Sequence, residues 1–370
     1  MRYKAAAPER KPLIRLRAFS PLRGGEGTAD KRMFRSFFLP ILVTILSLCG
    51  CAQPQPVTLH GQAMGTSWHL KAAAPAQRVG ELQHLVEERL AKLTAQMSAW
   101  EPESDLSRFN RAQAGTWHAL PDELFRVIAH AHELARDTDG AFDPTLAPLV
   151  ALWGFGPDGA ARTVPPSIVE IEQAKAQIGW HKIQLRPATR ELFQPGSLSL
   201  DINALGPGFA VDEIGRALQQ AGEEDFLFEL GGEMLASGLR PDGEPWRVAV
   251  ERPDQHEDDA QFDTVVALHE AAIGSSGDYR VGFEHEGRRY SHTLDPRSGE
   301  PVQHAAAAVS VVAKSAMQAD ALAAALMVLG PEEGLRFAEQ RGIAAVFTLR
   351  DEAGGYRRIA TPAFEQVRAK

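Results

Sequence analysis

The sequence predicts an α+β fold built largely on antiparallel sheet. Apolar residues recur at helical spacing in several stretches, and between them lie runs of short apolar segments bounded by turn residues, the pattern of adjacent strands. Helices interspersed with such strands indicate an α+β domain. No motif repeats every 20 to 50 residues, which argues against a solenoid. No long linker divides residues 52–370, so we expect a single domain there.

The first half of this domain is predicted to hold a strand pair and two helices. Val57 to Lys71 has the pattern of two strands around Met64-Gly65-Thr66. Gly140 is expected to cap the second helix. The helices are marked by apolar residues three or four apart: Leu82, Leu85, Val86, Leu90, Leu93 and Met97 in the first, and Leu124, Val127, Ile128, Ala131 and Leu134 in the second.

The second half alternates strands and helices. Ser197 to Ile202 is predicted as a strand, followed by the turn Gly206-Pro207-Gly208 and a helix that stops at Gly222. The remaining predicted elements are strands at Phe226 to Leu230, Trp246 to Val250, Val265 to Ile273, Val309 to Ala313 and Ile343 to Leu349, and helices from about Ala316 to Leu329 and Pro331 to Gln340.

Charge is distributed unevenly along the chain. Residues 1–38 contain ten Lys/Arg and three Asp/Glu, a net +7, which leaves −16 on residues 39–370 of a chain whose total is −9. Nucleic-acid-binding domains need a basic stripe. The acidic body therefore predicts no nucleic-acid partner.

The N-terminal region has the features of a lipoprotein signal peptide. An apolar stretch from Phe37 to Leu48 follows basic residues and is too short to span a bilayer comfortably. Leu48-Cys49-Gly50-Cys51 then resembles a bacterial lipobox, which predicts a lipid on Cys51; the alternative is a cleaved signal with incidental thiols. Because the signal begins late, we expect translation to start at Met33, residues 1–32 to be a non-native extension and residues 33–51 to be the signal.

Both cysteines of the chain lie in this segment, at positions 49 and 51. The mature domain therefore has no disulfide, no cysteine-ligated metal and no cysteine nucleophile. Its chemistry must rest on carboxylates, hydroxyls, histidines and main-chain groups.

Three segments carry candidate chemistry. Leu200 to Asp212 has the order strand, glycine turn, helix, which suits a pyrophosphate at the helix N-terminus but is also the pattern of a plain tight turn. Asp320 lies in an otherwise apolar helix and is either a Mg²⁺ ligand or a solvated or capping carboxylate. His292 lies in a loop with turn signals and is either a general base or an ordinary histidine.

Eight motifs, in this order, resemble the ApbE family of FAD:protein FMN transferases over about residues 57–350. The family resemblance rests on the following segments: Ala63 to Thr66, Met97 to Trp100 with Asp105 to Asn110, Gly140 to Thr145, Asp201 to Asp212, Leu230 to Glu233, Ser276 to Tyr279, His292 to Gly299, and Ala316 to Leu322.

The resemblance implies a set of residues that line the FAD site: Met64, Trp100, Ala141, Phe142, Asp143, Asp201, Pro207 and Leu294. Two of these depart from the family pattern. Trp100 stands where Tyr is usual, which keeps a stacking face but loses the hydroxyl. Pro207 replaces a common Lys or Glu and removes any side-chain contact to the nucleotide.

The resemblance also implies Mg²⁺, held by the main-chain carbonyl of Ala204, by Asp320 and by a threonine four residues further on. That last position is Ala324 here, and Ala323 offers no ligand either. Waters and substrate phosphates can fill several positions around Mg²⁺. Because positions 323 and 324 supply no ligand, however, we expect weakened metal binding or lost turnover.

The implied reaction transfers FMN from FAD to a Ser or Thr hydroxyl of an acceptor protein, with His292 as the base, amides near Gly206 to Gly208 on the pyrophosphate, and AMP as the product. Membrane redox-pump subunits are the acceptors that the family suggests. The expected location is the periplasmic side of the inner membrane, attached to the bilayer through Cys51, with the outer membrane as the alternative. A Mg²⁺-dependent FAD pyrophosphatase and a non-catalytic FAD-binding lipoprotein remain alternatives.

Overall fold

The computed structural model describes residues 17–18, 56–157, 159–253, 262–279, 281–351 and 353–369. The predicted signal peptide and Cys51 lie outside these residues, as does the predicted extension apart from Arg17–Ala18. Among the described helices, none combines the length and apolarity needed to cross a membrane.

The elements are numbered along the chain. The strands are β1 (Arg17–Ala18), β2 (Val57–Ala63), β3 (Thr66–Ala72), β4 (Thr116–Ala119), β5 (Leu185–Arg186), β6 (Glu191–Gln194), β7 (Phe226–Leu230), β8 (Glu233–Ser237), β9 (Trp246–Glu251), β10 (Phe262–Leu268), β11 (Ala271–Gly277), β12 (Gly282–His285), β13 (Arg288–Ser291), β14 (Leu294–Asp295), β15 (Glu300–Pro301), β16 (Ala306–Ala313), β17 (Ala344–Arg350) and β18 (Tyr356–Ala360). The helices are α1 (Val79–Met97), α2 (Asp105–Asn110), α3 (Asp122–Asp137), α4 (Ala147–Leu152), α5 (Ile168–Lys175), α6 (Gly206–Gln220), α7 (Ala316–Gln340) and α8 (Pro362–Val367), with 3-10 turns at Ala76–Arg78 and Trp180–Lys182.

An eight-stranded sheet forms the centre of the fold, in the order β18-β17-β16-β11-β8-β7-β3-β2 with antiparallel neighbours throughout. Helices α1, α6 and α7 pack on one face. The hairpin β9-β10 and α8 cover the other face around Trp246 and Phe364. Strand β7 shows the two-sided burial, because Phe226 and Phe228 enter the helix-side core while Leu227 enters the opposite one.

A smaller apolar cluster lies beside the main sheet. Leu149 and Trp153 at α4, Ile171 in α5 and Leu294 in β14 form its centre. The Trp153 ring lies 5.7 Å from that of Tyr290 in β13. This cluster joins the loops after β13 to the segment that follows α3.

The α+β prediction is confirmed, but two predicted strands are wrong. Ser197 to Ile202 is not a strand, because its main chain bonds to side chains: Asn110 donates to Leu200 O and accepts from Leu200 N, both at 2.9 Å. Val265 to Ile273 is two strands separated by a turn in which Glu270 has φ 48°.

The two predicted C-terminal helices are confirmed. They lie end to end within α7, with a break between them. Gly330 has φ 76°, and Pro331 follows it inside α7. Proline cannot supply the helix hydrogen bond at that point. The predicted boundary between Leu329 and Pro331 is therefore correct.

Candidate active site

The beginnings of α6 and α7 meet at a contact that depends on a glycine. A Cβ on Gly208 would lie against the carbonyl of Ala316, so only glycine permits this approach. The N–H of Gly208 donates to Asp320 Oδ2 at 3.2 Å. In return, Asp212 of α6 accepts from the N–H groups of Ala316 (2.7 Å) and Met317 (3.0 Å) and caps α7.

Asp320 is buried at this junction, with 7% of its surface exposed. It is therefore not a solvated carboxylate. Its helix lies directly on β11, where a Cβ on Gly274 would come within 2.6 Å of Asp320 N. Burial raises the pKa of Asp320 to about 7, opposed by the hydrogen bond from Gly208 and assisted by the charge of Asp212.

Glu233 is a second buried carboxylate in this region, with 6% of its surface exposed. Burial raises its pKa well above the usual value, and the charge of Asp320 raises it further. Glu233 begins β8, directly after a turn in which Gly231 and Gly232 have φ 68° and 116°. It was not among the predicted site residues, although it ends one of the segments that carry the family resemblance, Leu230 to Glu233.

The prediction that main-chain amides at Gly206 to Gly208 bind a pyrophosphate is wrong for this arrangement. The N–H of Gly206 donates to Ile202 O at 2.8 Å, and that of Gly208 donates to Asp320. Pro207 has no N–H. Main-chain donors at positions 206–208 are therefore already used, and a pyrophosphate would need other partners.

Three other predicted residues lie around the start of α6. Met64 has φ 50° in the β2-β3 turn, and its Cε lies 3.9 Å from the position of a Cβ on Gly206. Ala204 is half-buried against the main core, and Pro207 occupies the first turn of α6. The structure thus brings Met64, Ala204 and Pro207 to the same helix start as Asp320.

The Ala141–Asp143 segment is held by its own hydrogen bonds. Ala141 and Phe142 are buried. Asp143 Oδ1 accepts from the N–H and hydroxyl of Thr145 at 2.8 and 2.7 Å, and Oδ2 accepts from Trp180 N at 3.0 Å. Burial raises the pKa of Asp143, while these hydrogen bonds act in the opposite direction. The carboxylate therefore shapes the turn.

Asp201 is joined to this segment through the main chain. Its N–H donates to Pro144 O at 2.8 Å, and its Oδ1 accepts from Asn203 N at 2.8 Å. The loop from Asp201 to Ala204 thus connects the Asp143 turn with the start of α6.

Trp100 lies in a turn after α1 that is ordered by serine. The main-chain N–H of Trp100 donates to Ser98 Oγ at 3.2 Å. The carbonyl of Ser98 accepts from Ser104 Oγ at 2.6 Å and from Ser107 Oγ at 3.2 Å. The indole is half-buried, so part of its surface is open to solvent.

His292 and Leu294 belong to the smaller apolar cluster. The N–H of His292 donates to Val281 O at 3.2 Å, and its half-buried ring meets the Phe155 ring edge-on at 6.4 Å. Leu294 is 2% exposed and packs in the same cluster as Leu149. Leu149 follows the Asp143 turn along the chain, so this cluster links the His292 loop to the segment after that turn.

The oxygen groups around Asp320 fit a hard divalent cation. Asp320 and Glu233 are buried carboxylates, and neither forms an ion pair with a described cationic side chain. Within the described ranges, no three His, Cys, Asp or Glu side chains group closely enough to hold a metal. Ala323 is buried and Ala324 is half-buried, so neither contributes a donor. Any cation there must complete its shell with neutral oxygens, as Mg²⁺ commonly does.

Solved flavin transferases share this fold. The chain matches the apo form of flavinyl transferase ApbE from Pseudomonas stutzeri with a TM-score of 0.76 and 40% identity, covering 85% of this chain and 96% of that one. It matches flavin transferase ApbE from Vibrio cholerae with a TM-score of 0.77 and 33% identity, covering 85% and 99%. These matches define the class as that of the flavin transferases.

The sequence comparisons agree. A FAD:protein FMN transferase of Vibrio cholerae is 35% identical over 339 residues, which is 90% of this chain and 99% of the relative. One from Escherichia coli is 32% identical over 340 residues, covering 88% and 95%. The model of the ApbE family matches residues 64–347. The chain belongs to the ApbE family.

Proposed function

We infer that this protein is a FAD:protein FMN transferase, which moves FMN from FAD to a hydroxyl side chain of an acceptor protein and releases AMP. The observation that carries this inference is the end-to-end similarity to transferases of this activity. The structure adds a buried carboxylate, Asp320, where two helices begin, beside the Met64 turn.

The proposed site uses Asp320 and the carbonyl of Ala204 to hold Mg²⁺. When bound, the cation would supply positive charge that stabilises a pyrophosphate. The FAD site is proposed to contain Met64, Trp100, Ala141, Phe142, Asp143, Asp201, Pro207 and Leu294. Of these, the half-exposed Trp100 offers a ring face for stacking, and Asp143 keeps the turn at Ala141 and Phe142 in shape.

His292 is the proposed general base. It takes the proton of the acceptor Ser or Thr hydroxyl while that oxygen forms a bond to the FMN phosphorus and the bond to AMP breaks. Its main chain is fixed by the hydrogen bond to Val281, and Phe155 supports its ring. Those contacts hold the imidazole in a loop that an incoming protein can approach.

The proposed location is the periplasmic side of the inner membrane, with Cys51 carrying the lipid, and membrane redox-pump subunits are the proposed acceptors. The basic, apolar and cysteine-containing order of residues 31–51 supports the anchor. An exported transferase would meet exported acceptors on that side.

Mass spectrometry of a flavin-acceptor fragment tests the function. The fragment is incubated with the mature chain, FAD and a Mg²⁺ titration, and we expect an FMN-sized mass gain on Ser or Thr. An established family member on the same fragment is the control. AMP release without the mass gain would indicate FAD hydrolysis, and retained FAD with no AMP would indicate flavin storage.

A further inference from the structure

The strand register places Glu233 under the helix that carries Asp320. Strands β8 and β11 pair up to Met234 opposite Ile273, and both of these residues lie in the core around Trp246. Glu233 and Gly274 are the next residues of their strands, so both face the helix side of the sheet. Opposed residues of an antiparallel pair point to the same face. The main chain of Asp320 packs on that face of Gly274, and Met234 points to the other core. Both carboxylates therefore lie between the sheet and the start of α7.

A buried hydroxyl borders the same space. Thr66 is 7% exposed, and its Oγ1 has no hydrogen-bond partner among the residues that the structure describes. Thr66 Oγ1 and Glu233 Oε2 both lie beside Gly231: a Cβ added to this glycine would be 3.4 Å from the first oxygen and 3.6 Å from the second. A buried hydroxyl without a partner is unfavourable unless a ligand completes it. This unsatisfied oxygen is independent of the carboxylate pair and points to a bound group.

We propose that Glu233 and Thr66 belong to the cation site of Asp320. The proposal rests on the Mg²⁺ site of the proposed function. Two carboxylates would balance the charge of a divalent ion, and the Thr66 hydroxyl would supply a neutral oxygen of the kind Mg²⁺ accepts. It also accounts for two buried carboxylates that form no ion pair with a cationic side chain of the described residues.

Binding of Mn²⁺ to the mature chain, followed by electron paramagnetic resonance and competed with Mg²⁺, tests the proposal without any turnover. We expect Glu233→Gln to weaken Mn²⁺ binding by about tenfold or more, since even outer-shell changes cost that much. Thr66→Val should weaken it less. Glu270→Gln is the control: this carboxylate accepts from Gly238 N at 2.5 Å beyond the far end of β8, and its loss should leave affinity unchanged.

Melting without metal separates a binding defect from a folding defect. Glu233→Gln should melt no lower than the parent, because it replaces an ionisable group at a buried position with a neutral amide of the same size, yet it should gain less from added Mn²⁺. Ala324→Thr in the Glu233→Gln background should restore part of the affinity.

Three results would overturn the proposal in distinguishable ways. If Asp320→Asn loses Mn²⁺ while Glu233→Gln retains the parent affinity, the Asp320 site stands and the role of Glu233 does not. If the parent chain binds no Mn²⁺, the metal site of the proposed function fails together with this inference. Equal loss in Glu233→Gln and Glu270→Gln would be the third such result, since a general loss of negative charge would then explain both.

Discussion

The contact between α6 and α7 and the loop that bears His292 are built from opposite kinds of side chain. At the helix contact, Asp212, Glu233 and Asp320 are all buried within a tightly packed helix-on-sheet layer. Around the loop, Trp153, Phe155, Phe283 and Tyr290 pack ring against ring. The first region buries acidic side chains, and the second holds a half-buried imidazole on an apolar support.

This difference suggests a division of labour. A rigid, desolvated carboxylate site suits a cation and phosphate, because charges interact more strongly away from water. A loop on an aromatic support suits a group that must meet a second macromolecule. The two regions should therefore respond separately to mutation, and the following predictions are ordered by expected effect.

The largest effect is expected at the loop. His292→Ala should lower FMN transfer by roughly 10²- to 10⁴-fold, the usual contribution of a general base. Mn²⁺ affinity should stay at the parent value, because His292 is not one of the proposed ligands of the cation. His84, which is exposed on α1, provides the control substitution His84→Ala. Unchanged transfer by His292→Ala would remove the histidine from the mechanism.

At the helix contact, Asp320→Asn should weaken Mn²⁺ binding by at least about tenfold to 100-fold. FMN transfer should then require higher Mg²⁺. The measurement is the Mg²⁺ concentration giving half-maximal transfer, compared with Asp295→Asn in the loop region. If both variants shifted equally, the separation between the regions would be lost.

The pH dependence of stability should also come from the helix contact. The metal-free fold raises the pKa of Asp320 to about 7, so it binds the proton more tightly than the unfolded chain does. The resulting stability is present at pH below about 4, the ordinary range of an aspartic acid, and is lost as pH rises through about 7. Chemical denaturation should show a steeper loss of stability between about pH 4 and about pH 7 for the parent than for Asp320→Asn. Equal slopes would contradict the assignment to Asp320.

The smallest effect is expected at Trp100. Trp100→Ala should weaken FAD binding by about 0.5–1.5 kcal/mol through loss of an aromatic contact. Trp100→Tyr, the residue usual in the family, should bind about as well as the parent. Fluorescence titration of FAD measures both, and equal affinity for Ala and Tyr at this position would exclude stacking.

The sequence anticipated most elements that surround the site. The strand pair at Met64, the helices at α1, α3, α6 and α7, and the break before Pro331 all follow from local periodicity and turn residues. The missed cases have non-local causes. Ser197 to Ile202 has strand-like composition, but its hydrogen bonds go to the side chains of Asn110 and Gln194. No local pattern shows those partners.

Some chemical properties of the site were equally hidden. The burial of Asp320, which rules out a solvated role, depends on Gly274 in another element. The Gly208 amide, which was predicted to bind a pyrophosphate, donates to Asp320 instead. Each depends on a contact between residues that are distant along the chain.

The sequence by itself determined the family, the α+β class and the residues that depart from the family pattern, because these are written in motif order and local periodicity. Only the tertiary structure decided that Glu233 is buried close enough to Asp320 to be affected by its charge and that Thr66 lies near Glu233, since strand register and a helix packed on glycine bring distant segments together. The physical reason is that burial and electrostatic coupling arise only when the layers pack together, so they cannot be predicted from any one segment of the sequence.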